Sequence, residues 1–423
     1  MQRLRQSIHL HSASCTGTAR ARRGDPPPSH AEILGRDRER VASIHRKAGR
    51  AAASKGSNAT LRARWGKPLG TSNYFISVGL GTPARDLCVE FDTGSDQSWV
   101  QCKPCGDCYE QHDPLFDPEG SSTYAAVSCG ARECREFGSR NCSSSSDGQC
   151  RYEVSYGDQS RTVGDLARDT LALTPTAAVP GFMFGCGHRD AGVFGEVDGL
   201  VDLGRGKASL ASQAAARYGA VFSYCLPSSP STVGYLTFGG AAASASANAQ
   251  FTALVAGQHD DASFYYLNLT GISLGTTALS ISPNAFSLNA DGSGGLIIDS
   301  GTTITSLANA AYQQVRAAVK SLVTLPAIDG SDSTGLGLCF ALSSPTSAPP
   351  AMPSMTLHFD GADMVLPVDS YMLLDSGLWC LAMQNTSNGA MSTLGNYQQQ
   401  DMHILYDVGQ ETLSFAPTKC STL

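Results

Sequence analysis

Two triplets carry the most pointed chemistry in this sequence: Asp92-Thr93-Gly94 and Asp299-Ser300-Gly301, each followed by a hydroxyl residue, Ser95 and Thr302. Each lies at the exit of a short apolar run, Leu87–Phe91 and Gly295–Ile298, and the two stand roughly half a chain apart. One such triplet would be an ordinary turn cap, whereas two in matching settings point to a carboxylate pair. The glycines let the backbone turn tightly and present N–H groups to the acids, and Ser95 and Thr302 have hydroxyls to donate. Two carboxylates at close range cannot both ionise, so the pair keeps one proton and titrates as a unit. The ionised member can take a proton from a bound water while the protonated member polarises a carbonyl, giving a tetrahedral intermediate without a covalent acyl-enzyme.

Strands and turns must position such a pair. Apolar residues make up 42% of the 423-residue chain, glycine occurs 44 times and charged residues reach only 16%, a texture of packed strands rather than helical repeats or disorder. Tyr74–Val78, Leu87–Phe91, Phe264–Leu269 and Gly295–Ile298 have strand character and are separated by Gly, Asp, Asn and Ser. Two helices are expected, Lys207–Tyr218 and Ala308–Leu322, the second with Val315, Val319 and Leu322 on one face. A weak repeat is visible: each triplet is followed later by an apolar pair and a glycine-bearing turn, at Leu200–Gly204 and Thr393–Asn396. This length exceeds what one growing core accommodates. Two similar β lobes, residues 71–245 and 246–423 with a boundary near 240–250, account for the repeat. No apolar run approaches the roughly 18 residues that span a bilayer.

The net charge of -7 conceals an asymmetry. Residues 1–70 carry 15 Lys+Arg against 4 Asp+Glu, and the remaining 353 residues carry 15 against 33. A basic leader facing an acidic body can be held by electrostatics; the plainer reading is a basic tail with no partner. Within the leader, Ile33, Leu34, Val41 and Ile44 recur with rough helical spacing, which predicts one short amphipathic helix between Ser29 and Gly49. Ala51–Lys67 has no periodicity and suits an exposed, cleavable linker, so residues 1–70 are expected to be removable. Residues 1–24 hold no apolar signal core; they are free of acids and contain Arg and Ser, in the manner of an organelle transit peptide or a misplaced start. Against that stand 14 cysteines, which favour disulfides in an oxidising compartment. Sequons at Asn58, Asn141, Asn268 and Asn385 are compatible with a secretory route.

Several segments together resemble the pepsin family of aspartic endopeptidases, in its plant nepenthesin-like branch, from about Thr71 to Cys420. They are FDTGSDQSWVQC at Phe91–Cys102, the cluster CKPCGDC, YEVSYGD at Tyr152–Asp158, FGCGH at Phe184–His188, IIDSGT at Ile297–Thr302 and STLGNYQQQ at Ser392–Gln400. The resemblance implies an all-β, bilobal fold with a few short helices and a cleft between the lobes. It implies Asp92 and Asp299 as the dyad, with Thr93 and Ser300 cross-bonding their loops. Tyr156 and Gly157 would lie on a hairpin flap closing over substrate, and Trp99 would hold the tyrosine hydroxyl. Glu32–Lys47 resembles the family's propeptide helix, whose electrostatic hold acid would weaken.

In isolation Cys102, Cys105 and Cys108, with Cys129, Cys134, Cys142 and Cys150 following, are open to a metal or redox reading; the resemblance implies a disulfide-stapled insertion. Cys186, Cys225, Cys339, Cys380 and Cys420 complete twelve, with Cys339 and Cys380 a plausible pair and the other pairings not deducible from spacing. Cys15 and Cys88 stand outside them, and Cys88 is expected to be a buried free thiol. One departure bears on activity. Where the family pattern has Gly-Leu-Leu-Gly-Leu-Gly, this chain has Gly199-Leu200-Val201-Asp202-Leu203-Gly204, which puts a costly carboxylate behind the first active-site loop.

The expectation is an acid-active aspartic endopeptidase made as a zymogen, acting on protein or peptide substrates and held by its own propeptide. It needs no metal or organic cofactor, and a monomer without a membrane span is expected. The alternative is a protease-like binding or inhibitor protein, which Asp202 keeps open. Nucleic-acid binding through the leader is weak, because the mature body would be acidic. The expected location is the secretory pathway, the apoplast or a vacuole, with a plastid as the alternative.

Overall fold

Alternation sets the first strand of the body. In Ala59–Trp65 the odd positions Ala59, Leu61 and Ala63 are buried while Thr60 and Arg62 face out. The computed structural model describes residues 48–49, 58–137, 142, 148–156, 158–240, 248–257, 261–282, 284–343, 348–375, 377–386 and 390–422. Ala59–Phe238 to Ala63–Gly234 form a continuous antiparallel register, and Arg64 and Trp65 continue onto Phe75 and Tyr74. The linker expected over Ala51–Lys67 is therefore overturned from Ala59 onward: small and basic residues hid a period-2 pattern. Ala48 and Gly49, expected at the end of the leader helix, instead pair with Ala262 and Asp261. The rest of that helix, Gly157 and Asn141 lie outside the described residues.

That first strand opens a six-stranded antiparallel sheet to which both halves of the chain contribute. Its order is Ala59–Trp65, Gly234–Phe238, Val221–Cys225, Met402–Asp407, Thr412–Pro417 and Gln250–Val255. Leu61, Tyr224, Leu236, Tyr406, Leu413 and Phe415 from this sheet are buried in one continuous core. Such shared pairing joins the halves. Part of the boundary expected near 240–250 falls on undescribed residues.

On either side, each half repeats one device. The strand entering each Asp triplet pairs in parallel with a later strand: Val89–Asp92 with Gly199–Asp202, and Leu296–Ile298 with Ser392–Leu394. In the first lobe the long strands Arg161–Thr174 and Ala177–Ala191 pair with each other and carry the hairpin partner Arg151–Ser155. The second lobe adds two four-stranded sheets. The architecture is mainly β with short helices, as composition indicated.

Both expected helices form. The first runs Leu210–Tyr218, starting later than Lys207 because the Ser209 hydroxyl accepts the Ser212 N–H at 3.1 Å and fixes the start. The second runs Asn309–Leu322 with Ala311, Tyr312, Val315 and Val319 buried, but Leu322 is 48% exposed at its last position. A third helix, Arg132–Phe137, lies in the cysteine-rich insertion and escaped the sequence pattern through its shortness. The single strand expected over Phe264–Leu269 is two, Tyr265–Leu267 and Leu269–Leu274, divided at exposed Asn268 and belonging to different sheets.

Six disulfides are described: Cys102–Cys186, Cys105–Cys108, Cys129–Cys142, Cys134–Cys150, Cys225–Cys420 and Cys339–Cys380. The sulfurs open to a metal or redox reading are thus engaged in covalent pairs. The free thiol expected at Cys88 is corrected: Cys88 is fully buried and disulfide-bonded. Burial alone did not distinguish a thiol from a bonded sulfur. Among the described residues no helix is long and apolar enough to cross a membrane.

Candidate active site

Asp92 ends the strand Arg85–Asp92, and Asp299 follows Leu296–Ile298 directly. Both are buried, at 1% and 0% exposure. Each carboxyl is held by its own turn in the same way. Gly94 N–H donates to Asp92 Oδ1 at 2.8 Å and the Ser95 hydroxyl donates to Asp92 Oδ2. Gly301 N–H donates to Asp299 Oδ1 at 2.9 Å and the Thr302 hydroxyl donates to Asp299 Oδ2 at 2.6 Å. Glycine is required at 94 for a second reason. A Cβ there would stand 2.7 Å from Asp299 Cγ, so the first turn lies directly against the second carboxyl.

Reciprocal bonds lock the two turns together. Thr93 N–H donates to Ser300 Oγ at 3.1 Å, and Ser300 N–H donates to Thr93 Oγ1 at 2.9 Å. The Ser300 hydroxyl then donates to the Phe91 carbonyl at 3.2 Å. Thr93 and Ser300 are both 0% exposed, where an unmade bond would cost about 1–3 kcal/mol.

Behind the turns lies a polar shell that sequence reasoning did not assign. Gln399 Nε2 donates to the Asp299 carbonyl at 3.1 Å and to the Leu394 carbonyl at 2.9 Å. Its Oε1 accepts the Tyr224 hydroxyl at 2.5 Å, and the Tyr224 and Tyr406 hydroxyls are 2.9 Å apart. Asn396 Nδ2 donates to the Ser300 carbonyl and, at 3.0 Å, to Asn73 Oδ1 in the first lobe. Burial pushes both tyrosines well above the ordinary phenol range, with Asp299 adding to the shift, so they are neutral donors here. Asn396 and Gln399 stand inside STLGNYQQQ, a motif visible in sequence without a role attached. Tyr224 and Tyr406 carry no local signal.

Tyr156 begins the tip of the hairpin between Arg151–Ser155 and Arg161–Thr174, and its N–H donates to the Ser160 carbonyl at 2.8 Å. Trp99, 0% exposed, donates its indole N–H to the Tyr156 hydroxyl at 2.7 Å. Phe194 packs edge-on against both rings, with centroids 5.6 Å from Tyr156 and 4.9 Å from Trp99. Asp202 is 0% exposed and in register with Asp92 on the neighbouring parallel strand. Residues so paired project to one face of a sheet. Its N–H donates to Ser98 Oγ at 2.9 Å.

Of the sequence-singled residues, the two triplets with Ser95 and Thr302 converge at one site, while Trp99 and Tyr156 meet each other in the first lobe. The sequon asparagines Asn58, Asn268 and Asn385 are exposed.

Residues 74–240 match the family model described as xylanase inhibitor N-terminal, and 264–417 match its C-terminal counterpart. The chain is 42% identical over 356 residues to aspartic proteinase nepenthesin-1 of Nepenthes gracilis, covering 83% of this chain and 79% of that one. It is 40% identical over 409 residues to aspartyl protease family protein 2 of Arabidopsis thaliana, covering 92% and 80%. Soybean basic 7S globulin superposes with a TM-score of 0.69 at 22% identity, covering 86% of this chain and 99% of that one, a likeness of fold. With matches that span both lobes and relatives near 40% identity, the chain belongs to the plant pepsin-like aspartic proteases.

Proposed function

We propose that the chain is an aspartic endopeptidase that hydrolyses peptide bonds with a water activated between Asp92 and Asp299. The observation that carries the reading is the reciprocal Thr93–Ser300 lock, which brings two identically solvated carboxyl turns into contact. The pair holds one proton. Its ionised member takes a proton from water as oxygen attacks the carbonyl carbon, and its protonated member donates to the carbonyl oxygen. Collapse of the tetrahedral gem-diol returns a proton to the departing amine and regenerates the shared one. Tyr156, anchored by Trp99, closes over the peptide and excludes water. No cofactor takes part.

Processing fits the same reading. The basic residues 1–70 oppose an acidic remainder, so acid weakens an intramolecular hold by protonating body carboxylates. Because Ala59–Trp65 is a strand of the central sheet, we place the cleavage before Ala59 rather than near residue 70. The six disulfides support passage through the secretory pathway, and a monomer acting on protein or peptide substrates is the simplest assembly.

A second reading, a protease-like binding protein, draws on one observation: Asp202 is buried in register with Asp92. A third carboxyl there would disturb a pair that depends on sharing one proton. The test is cleavage of a denatured protein from pH 2 to 7 by the processed chain, with and without pepstatin, beside Asp92→Ala and Asp202→Gly. Acid cleavage lost with pepstatin and in Asp92→Ala supports the endopeptidase. A folded chain that is inert while Asp202→Gly cuts supports the binding protein.

A further inference from the structure

The fourth residue past each aspartate reaches into the opposite lobe. Past Asp92 it is Asp96, whose Oδ2 accepts the Ser263 hydroxyl of the second lobe and whose Oδ1 accepts the Gly206 N–H at 2.8 Å. Past Asp299 it is Thr303, whose hydroxyl donates to Asn73 Oδ1 of the first lobe at 3.4 Å. Ser263 and Asn73 hold matching places, just ahead of the strands Tyr265–Leu267 and Tyr74–Leu80. The reciprocal Thr93–Ser300 bonds therefore have an outer pair of contacts around them, one from each triplet turn.

On the Asp96 side a whole turn is gripped between the lobes. Leu203 N–H donates to the Asp92 carbonyl at 2.6 Å and Gly204 N–H to the Ser95 carbonyl at 2.9 Å, so the turn at 203–206 backs the first triplet. From the second lobe, the Ser263 carbonyl accepts the Arg205 N–H at 2.9 Å and the Tyr265 hydroxyl donates to the Leu203 carbonyl at 2.7 Å. Asp96 closes the ring by bonding both sides of it, Gly206 and Ser263. A Cβ on Gly204 or Gly206 would run into its carboxyl, so both glycines serve this close approach. Ser263 is 5% exposed and Arg205 9%, where a lost bond is poorly replaced by water. We infer that Asp96 and Ser263 form an interlobe clasp that sets the distance between the two carboxyls of the dyad, with Asp96 as a positioning residue for Asp92. The clasp is independent of the endopeptidase reading, and its effect on catalysis rests on that reading.

The experiment compares the full processed chain with Asp96→Ala, Asp96→Asn, Ser263→Ala and the double variant Asp96→Ala/Ser263→Ala, each checked for folding by circular dichroism. Asp96→Ala should lose about tenfold or more in kcat on a cleavable peptide, with KM changed less than about twofold. Its kcat/KM bell should narrow by about half a pH unit or more, because carboxyls moved apart oppose each other's ionisation less. Loss of a negative charge alone would move both limbs the same way, so the width of the bell reads the geometry. Asparagine keeps an oxygen to accept the Gly206 N–H and an amide to donate to the Ser263 hydroxyl oxygen. Asp96→Asn should therefore recover kcat to within about threefold of the wild type, with the full width of the bell. In both kcat and urea midpoint the double variant should lose no more than Asp96→Ala alone, the mark of a shared contact. Wild-type kcat and bell width in Asp96→Ala, equal losses in the Ala and Asn variants, or additive losses in the double variant each overturn the inference. A folded wild type that cleaves nothing overturns the endopeptidase reading instead, and the urea cycle then decides the clasp.

Discussion

A Cβ placed on Gly94 would stand 2.7 Å from the Asp299 carboxyl carbon and 2.7–2.8 Å from its oxygens, so one methyl group is enough to part the dyad. Gly94→Ala should fold and lose at least about 100-fold in kcat/KM, since misplacing a catalytic group by about 1 Å costs that much; matched circular dichroism and a progress-curve assay read both. Thr93→Val keeps the shape of the side chain and strips Ser300 N–H of its partner in a fully buried site. It should cost about 1–3 kcal/mol in urea denaturation and lower kcat more than it raises KM. Asp92, Asp299 and their hydroxyl neighbours were legible because the triplet repeats with its flanks. Tyr224, Tyr406, Asn396 and Asn73 were not: they meet across 182 residues in one case and 323 in the other, and such contacts leave no spacing pattern in the chain.

At the scale of elements, Ala59–Trp65 is the segment that sequence texture misjudged. Its inward residues are two alanines and one leucine, too small a hydrophobic signal among Arg62, Arg64 and Lys67 to stand out from a linker. Leu61 is 4% exposed in the main core, and Leu61→Ala should destabilise the protein by about 2–4 kcal/mol in urea denaturation. A chain starting at residue 58 should fold, whereas one starting at residue 68 should be recovered mainly as aggregate, because it strips an edge from the sheet that joins the halves. The strands entering both triplets were readable from their apolar runs. Their parallel partners, Gly199–Asp202 and Ser392–Leu394, could be matched to each other as a repeat, but pairing direction and register emerged only in three dimensions. The placement of Asp202 beside Asp92 is the consequence of that register.

Over the whole molecule, several titrating groups favour acid. Burial pushes Asp190 up to about 6, and the hydrogen bond that His188 donates to the Asp165 carboxylate raises His188 above its ordinary value. For Asp190 the stability gained is full below about 4 and lost as pH rises to about 6. For His188 it is full below about 6.5 and lost as pH passes its raised value. Asp198 works in the same direction. The melting temperature should therefore be higher at pH 4.5 than at pH 7.5, and Asp190→Asn should flatten the fall between pH 4 and 6; differential scanning calorimetry checks both. The bilobal, acidic body was visible in composition and repeat, while the sheet shared by both halves was not, since its six strands come from four separated stretches of chain, 59–65, 221–238, 250–255 and 402–417. The central claim is that Asp92 and Asp299 act as one acid–base pair. The most direct measurement is the pH dependence of kcat/KM for a cleavable peptide, with the processed wild type beside Asp299→Asn. We predict a bell bounded by two ionisations in the wild type, and a loss of about 1,000-fold or more at every pH in the variant while it remains folded. A folded Asp299→Asn that cleaves the peptide at the wild-type rate, with the same bell, would contradict the account.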